Sequence, residues 1–560
     1  MIAYPPELER AIAQHRQGDI ASARPVYEEL SRTRSELAEP WHLLGVIELQ
    51  TGAPDKAEPL FREALARDAA HVKCRSNLGG ALYQLNRLDE AEAELLRALE
   101  LDPDYTDARY NLGNVLAKAG RDEDAMAAFD AVLTAQPQHI KALDNAGVLY
   151  FQHHRFDQAE DYFRRALDID PDDQVGLVNL ARVRERQNRI EEAESLMNRA
   201  LEHDPNCLEA NLFSAQIDYR QKRFDDALTK LKICITGTQD PEILAQAHYA
   251  LGLTHDSRNE AADAFRAFAM ANDYERRDMQ GGKADPTKYM DHIRAAHARL
   301  NTAPFPPKDE NATGQPVFFV GFPRSGTTLL EQMLAAHPGV MTSNEVSPLD
   351  RVGREMLKGA APHALDERAL DAYRARFWQH AKNSLGDIGG RTLVDKMPLN
   401  IEFLDIASRL FPGAKILMAL RDPRDACLSC FMQHFERNNA MANFLSLDGT
   451  AALYDQVMGL WLKQRDVLPL AWMEYRYEDL VQDMEGVVKP ILAFLELDWN
   501  DDILGYRDQT QDGRVITPSY AQIGEKLYSQ ASGRWVKYAR FLEPVYPTLA
   551  PYIDAFGYNN

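Results

Sequence analysis

From about residue 4 to residue 275 the apolar positions recur with a period of 34 residues. Small residues mark it at Ala57, Ala91, Ala125, Ala159, Ala193 and Ala227. Four residues after each stands a large apolar side chain: Phe61, Leu95, Phe129, Phe163, Met197 and Leu231. Residues four apart share one face of a helix. Leu44-Gly45, Leu78-Gly79, Leu112-Gly113 and Ala146-Gly147 mark an earlier helix in their units. Pro103, Pro137, Pro171 and Pro205 close units, since proline ends a helix. The pattern predicts stacked pairs of helices. After Pro316 it changes: Val317–Val320, Thr392–Val394, Lys415–Leu420 and Trp472–Tyr475 are short strand-like runs with longer amphipathic stretches between them. Such alternation predicts a parallel sheet with helices on both faces and ligands at the carboxyl ends of the strands.

The first unit is degenerate (Ala23, Tyr27), and a last one, after a three-residue slip, lies around Leu251-Gly252, Ala264 and Phe268. These units, about eight in number, resemble the tetratricopeptide repeat. The resemblance implies an all-α superhelix over residues 1–280 whose concave face binds extended peptides or partner proteins. Residues 281–313 contain a helix-like run (Tyr289 to Leu300) and end in PFPPKDENATGQ, which reads as a linker. The second domain is then expected over residues 314–560.

Charge narrows the partners. The net charge of −22 is concentrated in residues 1–280, with 33 basic against 50 acidic side chains; the remainder has 30 against 35. An acidic array argues against nucleic acid, and the near-neutral second half suits an anionic cofactor. Five cysteines in 560 residues predict reduced thiols in a cytoplasmic protein. The N-terminus lacks a signal-peptide pattern, and no apolar run reaches the roughly 20 residues that span a bilayer. Neither a secreted nor a membrane-spanning protein is expected.

The chemistry centres on PVFFVGFPRSGTTLL, residues 316–330. A strand, a turn carrying Gly321, Pro323, Arg324, Ser325 and Gly326, and a helix opening at Thr327 and Thr328 aim backbone N–H groups and a positive helix end at a phosphate. The spacing Gly321-x4-Gly326 is that of an ATP-binding P-loop, but threonine stands where that loop has its lysine. An arginine fork with two hydroxyls suits a terminal 5′-phosphate instead.

PRSGTT after a strand resembles the 5′-phosphosulfate loop of sulfotransferases that use 3′-phosphoadenosine 5′-phosphosulfate (PAPS), and later motifs follow in family order over about residues 314–540. In LMALRDPRDACLSCFMQ (417–433) the resemblance implies that Arg421 and Ser429 hold the 3′-phosphate. In TLVDKMPLN (392–400) it implies that Lys396 stabilises charge on the leaving oxygen; the structural alternative is a surface lysine paired with Asp395. Glu345, 21 residues after Arg324, matches the general base of protein-tyrosine sulfotransferases, with His337 and His434 as rivals. MEYRYEDLV carries Tyr477, matching a tyrosine near the adenine and 3′-phosphate. SYAQIGEKLYSQASGRWVKY (519–538) resembles the loop that closes over the phosphates, with Tyr528, Ser529, Ser532, Gly533, Arg534 and Trp535. Gly533 occupies the place of the family's serine, so Ser532 becomes the candidate for contact with the sulfuryl group. Cys427-x-x-Cys430 lacks the further ligands of a zinc site and reads as packing.

The expectation is a multidomain chain: a tetratricopeptide array followed by an α/β, P-loop-like sulfotransferase domain with a central parallel sheet. It would use PAPS as co-substrate, release PAP and need no metal. The acceptor would be a protein or peptide tyrosine delivered by the array, with a carbohydrate or small molecule as the alternative. Arg351 and Arg354, three apart, would receive acidic residues flanking that tyrosine. A nucleoside-triphosphate enzyme and a noncatalytic adaptor are the competing classes.

Overall fold

In the computed structural model, sixteen helices follow the repeat pattern from Pro6–Arg16 to Ala261–Met279. The structure describes residues 4–279, 284–301, 304–309, 314–359, 361–506 and 532–559. By its contacts the chain divides into two units, Met1–Ile217 and Asp218–Asn560. In the first unit each recurring alanine from Ala57 to Ala193 is fully buried. The large residue that follows lies against the recurring glycine of the preceding helix. A Cβ at Gly45, Gly79, Gly113 or Gly147 would stand 2.5–2.6 Å from Phe61, Leu95, Phe129 or Phe163. The glycines thus let the two helices of a pair approach to contact.

One charged cluster ties neighbouring repeats. Glu39 accepts a hydrogen bond from His71 Nε2 at 2.9 Å and lies 3.6 Å from His42 Nδ1. His71 Nδ1 caps the next helix by accepting the Cys74 N–H, which leaves the ring proton on Nε2. The trio is a carboxylate shared by two imidazoles.

The second unit opens with Phe224–Gly237 and the pair Pro241–Ser257 and Ala261–Met279. This pair repeats the glycine device, with Gly252 against Phe268, yet it packs onto the α/β domain. Ala264 and Phe268 share a core with Leu428, Phe431, Met432 and Tyr538, and the Phe265 ring stacks on Phe541 at 4.1 Å. Asn272 Nδ2 donates to the Phe431 carbonyl at 2.9 Å, and Glu275 takes His434 and Arg437 at 2.9 and 2.7 Å. The stretch expected to be a linker holds the helix Pro286–Arg299, which buries Tyr289, Ile293 and Ala296 beneath the sheet. Its Arg299 pairs with Asp405 at 2.7 Å. The helix Pro286–Arg299 therefore belongs to the second unit's core, and the division by contacts lies near residue 217.

The sheet has the order β2-β3-β1-β4-β5 with every neighbouring pair parallel. Strand β1 is Val317–Gly321, β2 Val340–Thr342, β3 Thr392–Lys396, β4 Lys415–Leu420 and β5 Ala471–Arg476. The expected runs became β1, β3, β4 and β5; β2 is a three-residue edge strand. Central β1 is buried throughout, with Phe318 and Val320 facing one core and Val317 and Phe319 the other. Burial on both faces accounts for its uninterrupted apolar run. Among the described residues no helix is long and apolar enough to cross a membrane.

This packing sets where the chain can be cut. A chain starting at Asp218 is expected to unfold cooperatively. One starting at residue 284 strips the cover from Phe431, Tyr538 and Phe541 and should lose at least about 3–5 kcal/mol, the cost of emptying a large aromatic site. Urea unfolding of the two truncations checks this; equal stability would show that the last repeat pair is not part of the second unit's core.

Candidate active site

The phosphate-type loop forms where β1 and β4 come closest. A Cβ on Gly321 would lie 2.9 Å from the Ala419 carbonyl, so only glycine ends β1 there. The chain then turns through Arg324 and Gly326, both in the left-handed region at φ 68° and 85°. Gly326 also admits the Tyr477 ring, which a methyl group would overlap. The helix Thr327–Ala335 begins immediately, with no side chain capping it. Its first N–H groups have no intrahelical acceptors and point into the loop, as at an anion site. Ser325 and Thr327 are buried and Thr328 is half-buried. Pro323 contributes its carbonyl to the Cys430 thiol.

Two guanidinium groups converge beside this helix end. Arg324 Nε donates to Ser429 Oγ at 3.2 Å. Arg421, just beyond β4, donates from Nη1 to the Arg324 carbonyl at 2.8 Å and lies 5.0 Å from the centre of the Tyr477 ring. Burial first, then the like charge of Arg421, pushes the Arg324 guanidinium below its ordinary value. An anion between the two cations would reverse that penalty. The structure thus brings Pro323, Arg324, Ser325, Gly326, Thr327, Thr328, Arg421, Ser429 and Tyr477 together.

On the other side of β1, carboxylates take over. Lys396 ends β3 opposite Phe319 and is inaccessible to solvent. Its Nζ lies 2.6 Å from Glu345 Oε1 and 2.8 Å from Glu331 Oε2. Neither the surface lysine nor the pairing with Asp395 weighed from sequence is present. Glu345 follows Asn344 in a turn where both have positive φ, and its side chain stays 38% exposed. Asp395 holds this turn from inside, accepting Ser343 Oγ, Ser347 Oγ and the Leu349 N–H at 3.0–3.1 Å. Burial outweighs those donors and pushes its carboxyl up to about 6.

The C-terminal segment is pinned by Asp425, which accepts the Gly533 and Trp535 N–H groups at 2.7 Å each. Burial pushes this carboxyl too up to about 6, against the pull of Arg421. Arg424 stacks on Trp535 at 3.7 Å. Ser532 is exposed on the turn before Gly533; Tyr528 and Ser529 lie outside the described residues. Arg534, expected among the nucleotide contacts, pairs with Asp256 at 2.8 Å, and Tyr538 donates to the same carboxylate at 2.6 Å.

The rival bases have other work. His337 uses both ring nitrogens on main-chain groups, the Asp498 carbonyl and the Gly339 N–H, at 3.0 Å each. His434 pairs with Glu275. Cys427 and Cys430 are buried free thiols that burial holds in the protonated form. Arg351 is exposed, whereas Arg354 is clamped by Asp350 at 2.7 Å.

Two kinds of known family match parts of the chain. Residues 316–501 match the model of the sulfotransferase family, and tetratricopeptide-repeat models match residues 8–72, 77–140, 48–100 and 150–217. The chain joins tetratricopeptide repeats to a sulfotransferase-family domain. Over 246 residues it is 28% identical to an uncharacterized protein of Aquifex aeolicus, covering 41% of this chain and 32% of that one. It is 26% identical to protein-tyrosine sulfotransferase 1 of Danio rerio (43% of this chain, 72% of the relative). It is 28% identical to protein-tyrosine sulfotransferase 2 of Gallus gallus (39% and 62%). The match thus spans about a third of the first of these relatives and less than three quarters of the others. Among solved structures, a tetratricopeptide repeat protein from Parabacteroides merdae aligns at 19% identity and a TM-score of 0.36, covering 42% of this chain and 93% of that one.

Sequence reasoning passed over Glu331 and Asp425, and weighed Asp395 only as a partner for Lys396. Glu331 carried one signal: a lone carboxylate inside the apolar helix TTLLEQMLA. Asp395 and Asp425 serve through partners far away in sequence, two serine hydroxyls and a main-chain N–H for the first and two main-chain N–H groups for the second.

Two measurements test this architecture. A methyl at Gly326 meets both the Tyr477 ring and a left-handed φ, so Gly326→Ala should cost on the order of 1–3 kcal/mol in urea unfolding. The Asp395 carboxyl binds its proton more tightly folded than unfolded, so it stabilises the fold below about pH 4 and loses that contribution as pH rises through about 6. The stability gap between wild type and Asp395→Asn should therefore narrow by on the order of 2–3 kcal/mol between pH 4 and pH 7; a constant gap would remove this carboxyl from the pH response.

Proposed function

We propose that the second unit transfers a sulfuryl group from PAPS to an acceptor hydroxyl, with a tyrosine of a protein or peptide as acceptor. The observation that carries this reading is the Glu345–Lys396 pair at 2.6 Å, set one strand away from the uncapped loop helix and its two arginines. The residues present suit the co-substrate. Arg324, Thr327, Thr328 and the helix N–H groups would take the 5′-phosphate, Arg421 and Ser429 the 3′-phosphate, and Tyr477 would line the nucleotide.

Glu345 reaches solvent and is placed to accept the proton of an acceptor hydroxyl. Lys396 stabilises negative charge on the oxygen that leaves with the 5′-phosphate, and Ser532 is the described serine nearest the sulfuryl group in the family pattern. Much of the acceleration would be positioning and preorganised charge. Retention of Glu345, Lys396 and the loop residues speaks against a noncatalytic adaptor, and the missing loop lysine against a nucleoside-triphosphate enzyme. The protein-tyrosine sulfotransferases among the relatives and the repeat array support a protein acceptor. Arg351 and Arg354 are both exposed, the second paired with Asp350, and would receive an acidic flank. Five free cysteines support a cytoplasmic setting.

Calorimetry should show PAP binding far more tightly than AMP, and Arg421→Ala should weaken PAP by about 1.5–3 kcal/mol. Equal affinity for PAP and AMP would remove the 3′-phosphate assignment. Glu345→Gln should keep PAP affinity while lowering turnover about 10²–10⁴-fold, the usual share of a general base. Mass spectrometry of a tyrosine peptide and of a sugar, each incubated with the protein and PAPS, reads the acceptor class. Sulfation of the sugar alone would overturn the protein acceptor.

A further inference from the structure

Lys396 has two carboxylates, and the mechanism above uses only one. Glu331 is 3% exposed and lies on the buried face of the helix Thr327–Ala335, whose first turn is the phosphate-type loop. One of its oxygens meets Lys396 Nζ at 2.8 Å. The other accepts the N–H of Asn344 at 3.1 Å, the residue next to Glu345. A single side chain therefore joins the loop helix, the end of β3 and the turn that presents Glu345. The groups facing it are Lys396, Glu345 and the Asn344 N–H, and burial pushes its carboxyl up while Lys396 pulls it back.

The chemistry needs a second counter-charge. In transfer, the acceptor O–H bond breaks and its proton goes to the Glu345 carboxylate. The acceptor oxygen forms a bond to sulfur as the bond from sulfur to the bridging oxygen breaks, and that electron pair stays with PAP. At that moment Glu345 has become neutral. A buried ammonium that loses its only carboxylate is strongly disfavoured and tends to shed its proton. Lys396 would then weaken just as the bridging oxygen requires it.

We propose that Glu331 is a positioning residue of this site: the carboxylate that keeps Lys396 charged and aimed at the bridging oxygen once Glu345 has taken up the acceptor's proton. The assignment rests on the roles given to Lys396 and Glu345 above. Glu331 exchanges no proton with substrate and acts through the ammonium. Its place on the loop helix also links the phosphate contact to the geometry of the base.

Glu331→Gln, in the full-length protein, conserves size and removes the charge. PAP affinity should change less than about twofold, while kcat should fall about 10–100-fold, as for a misplaced catalytic group. The alkaline limb of the kcat profile should move to lower pH, because Lys396 gives up its proton more readily without the second carboxylate. Glu331→Asp should recover part of the rate. NMR of isotope-labelled lysine side chains, assigned with Lys396→Arg, reads the same event without substrate: Lys396 should lose its ammonium signal at lower pH in Glu331→Gln than in wild type. An unchanged rate and pH profile would overturn the proposal. So would a loss of thermal stability and PAP binding with no change in the Lys396 titration, which would mark a purely structural glutamate. If the Lys396 titration shifts but neither protein transfers sulfate to any acceptor, the sulfuryl-transfer reading fails while the charge coupling stands.

Discussion

An ammonium group sealed from water has to be matched by negative charge, and around Lys396 that requirement organises the second unit. Lys396 sits at the end of β3 with no solvent access, between Glu331 and Glu345. Meeting it ties a helix from the β1 side and a turn from the β2 side to the same point. Asp395, one residue earlier and fully buried, faces the opposite way and holds the turn through two serine hydroxyls and a main-chain N–H. Adjacent strand residues point to opposite faces, so one strand end sets Lys396 against the two glutamates and Asp395 against the turn that carries Glu345. Breaking such a buried set leaves uncompensated charge, which is far costlier than losing a surface pair.

The carboxyl ends of the strands are electrostatically divided. Towards β4 the site is cationic, with Arg324, Arg421 and an uncapped helix end. Towards β3 and β2 it is a lysine held by carboxylates. The first half suits a polyanion and the second suits proton transfer next to a developing negative charge. Central β1 separates them by one strand. A P-loop with its own lysine would carry the cation in the loop; here threonines follow Gly326, and a buried lysine stands at the end of a neighbouring strand.

The last helix pair of the repeat pattern belongs to this second unit. Asp256 and Glu275, on Pro241–Ser257 and Ala261–Met279, bind Arg534, Tyr538, His434 and Arg437. Phe265 and Phe268 cover the helix that carries Ser429 from the side away from the sheet. These contacts use faces that the 34-residue pattern leaves unspecified, because that pattern is set by packing within and between repeats. The pair thus keeps the repeat signature in its Gly252–Phe268 contact while its other faces serve as part of the α/β domain's core.

Much of this protein follows from order along the chain. The helix pairs are legible because each Gly–Phe or Gly–Leu contact recurs at a constant separation. The strands β1, β3, β4 and β5 show because burial on both faces needs unbroken apolar runs. The phosphate-type loop, Arg421 and Lys396 are legible because strand, turn and helix start are local. Other features depended on tertiary structure. Strand β2 is too short to leave a pattern, and Pro286–Arg299 proved to be core because burial is settled by what packs on it. Glu331 gained its meaning only when folding set it 2.8 Å from a lysine 65 positions away in sequence. Arg534 likewise meets Asp256, 278 positions away, a pairing that no local pattern announces. Local periodicity encodes which elements form; charge partners are chosen by proximity in space, and that is decided when the sheet assembles.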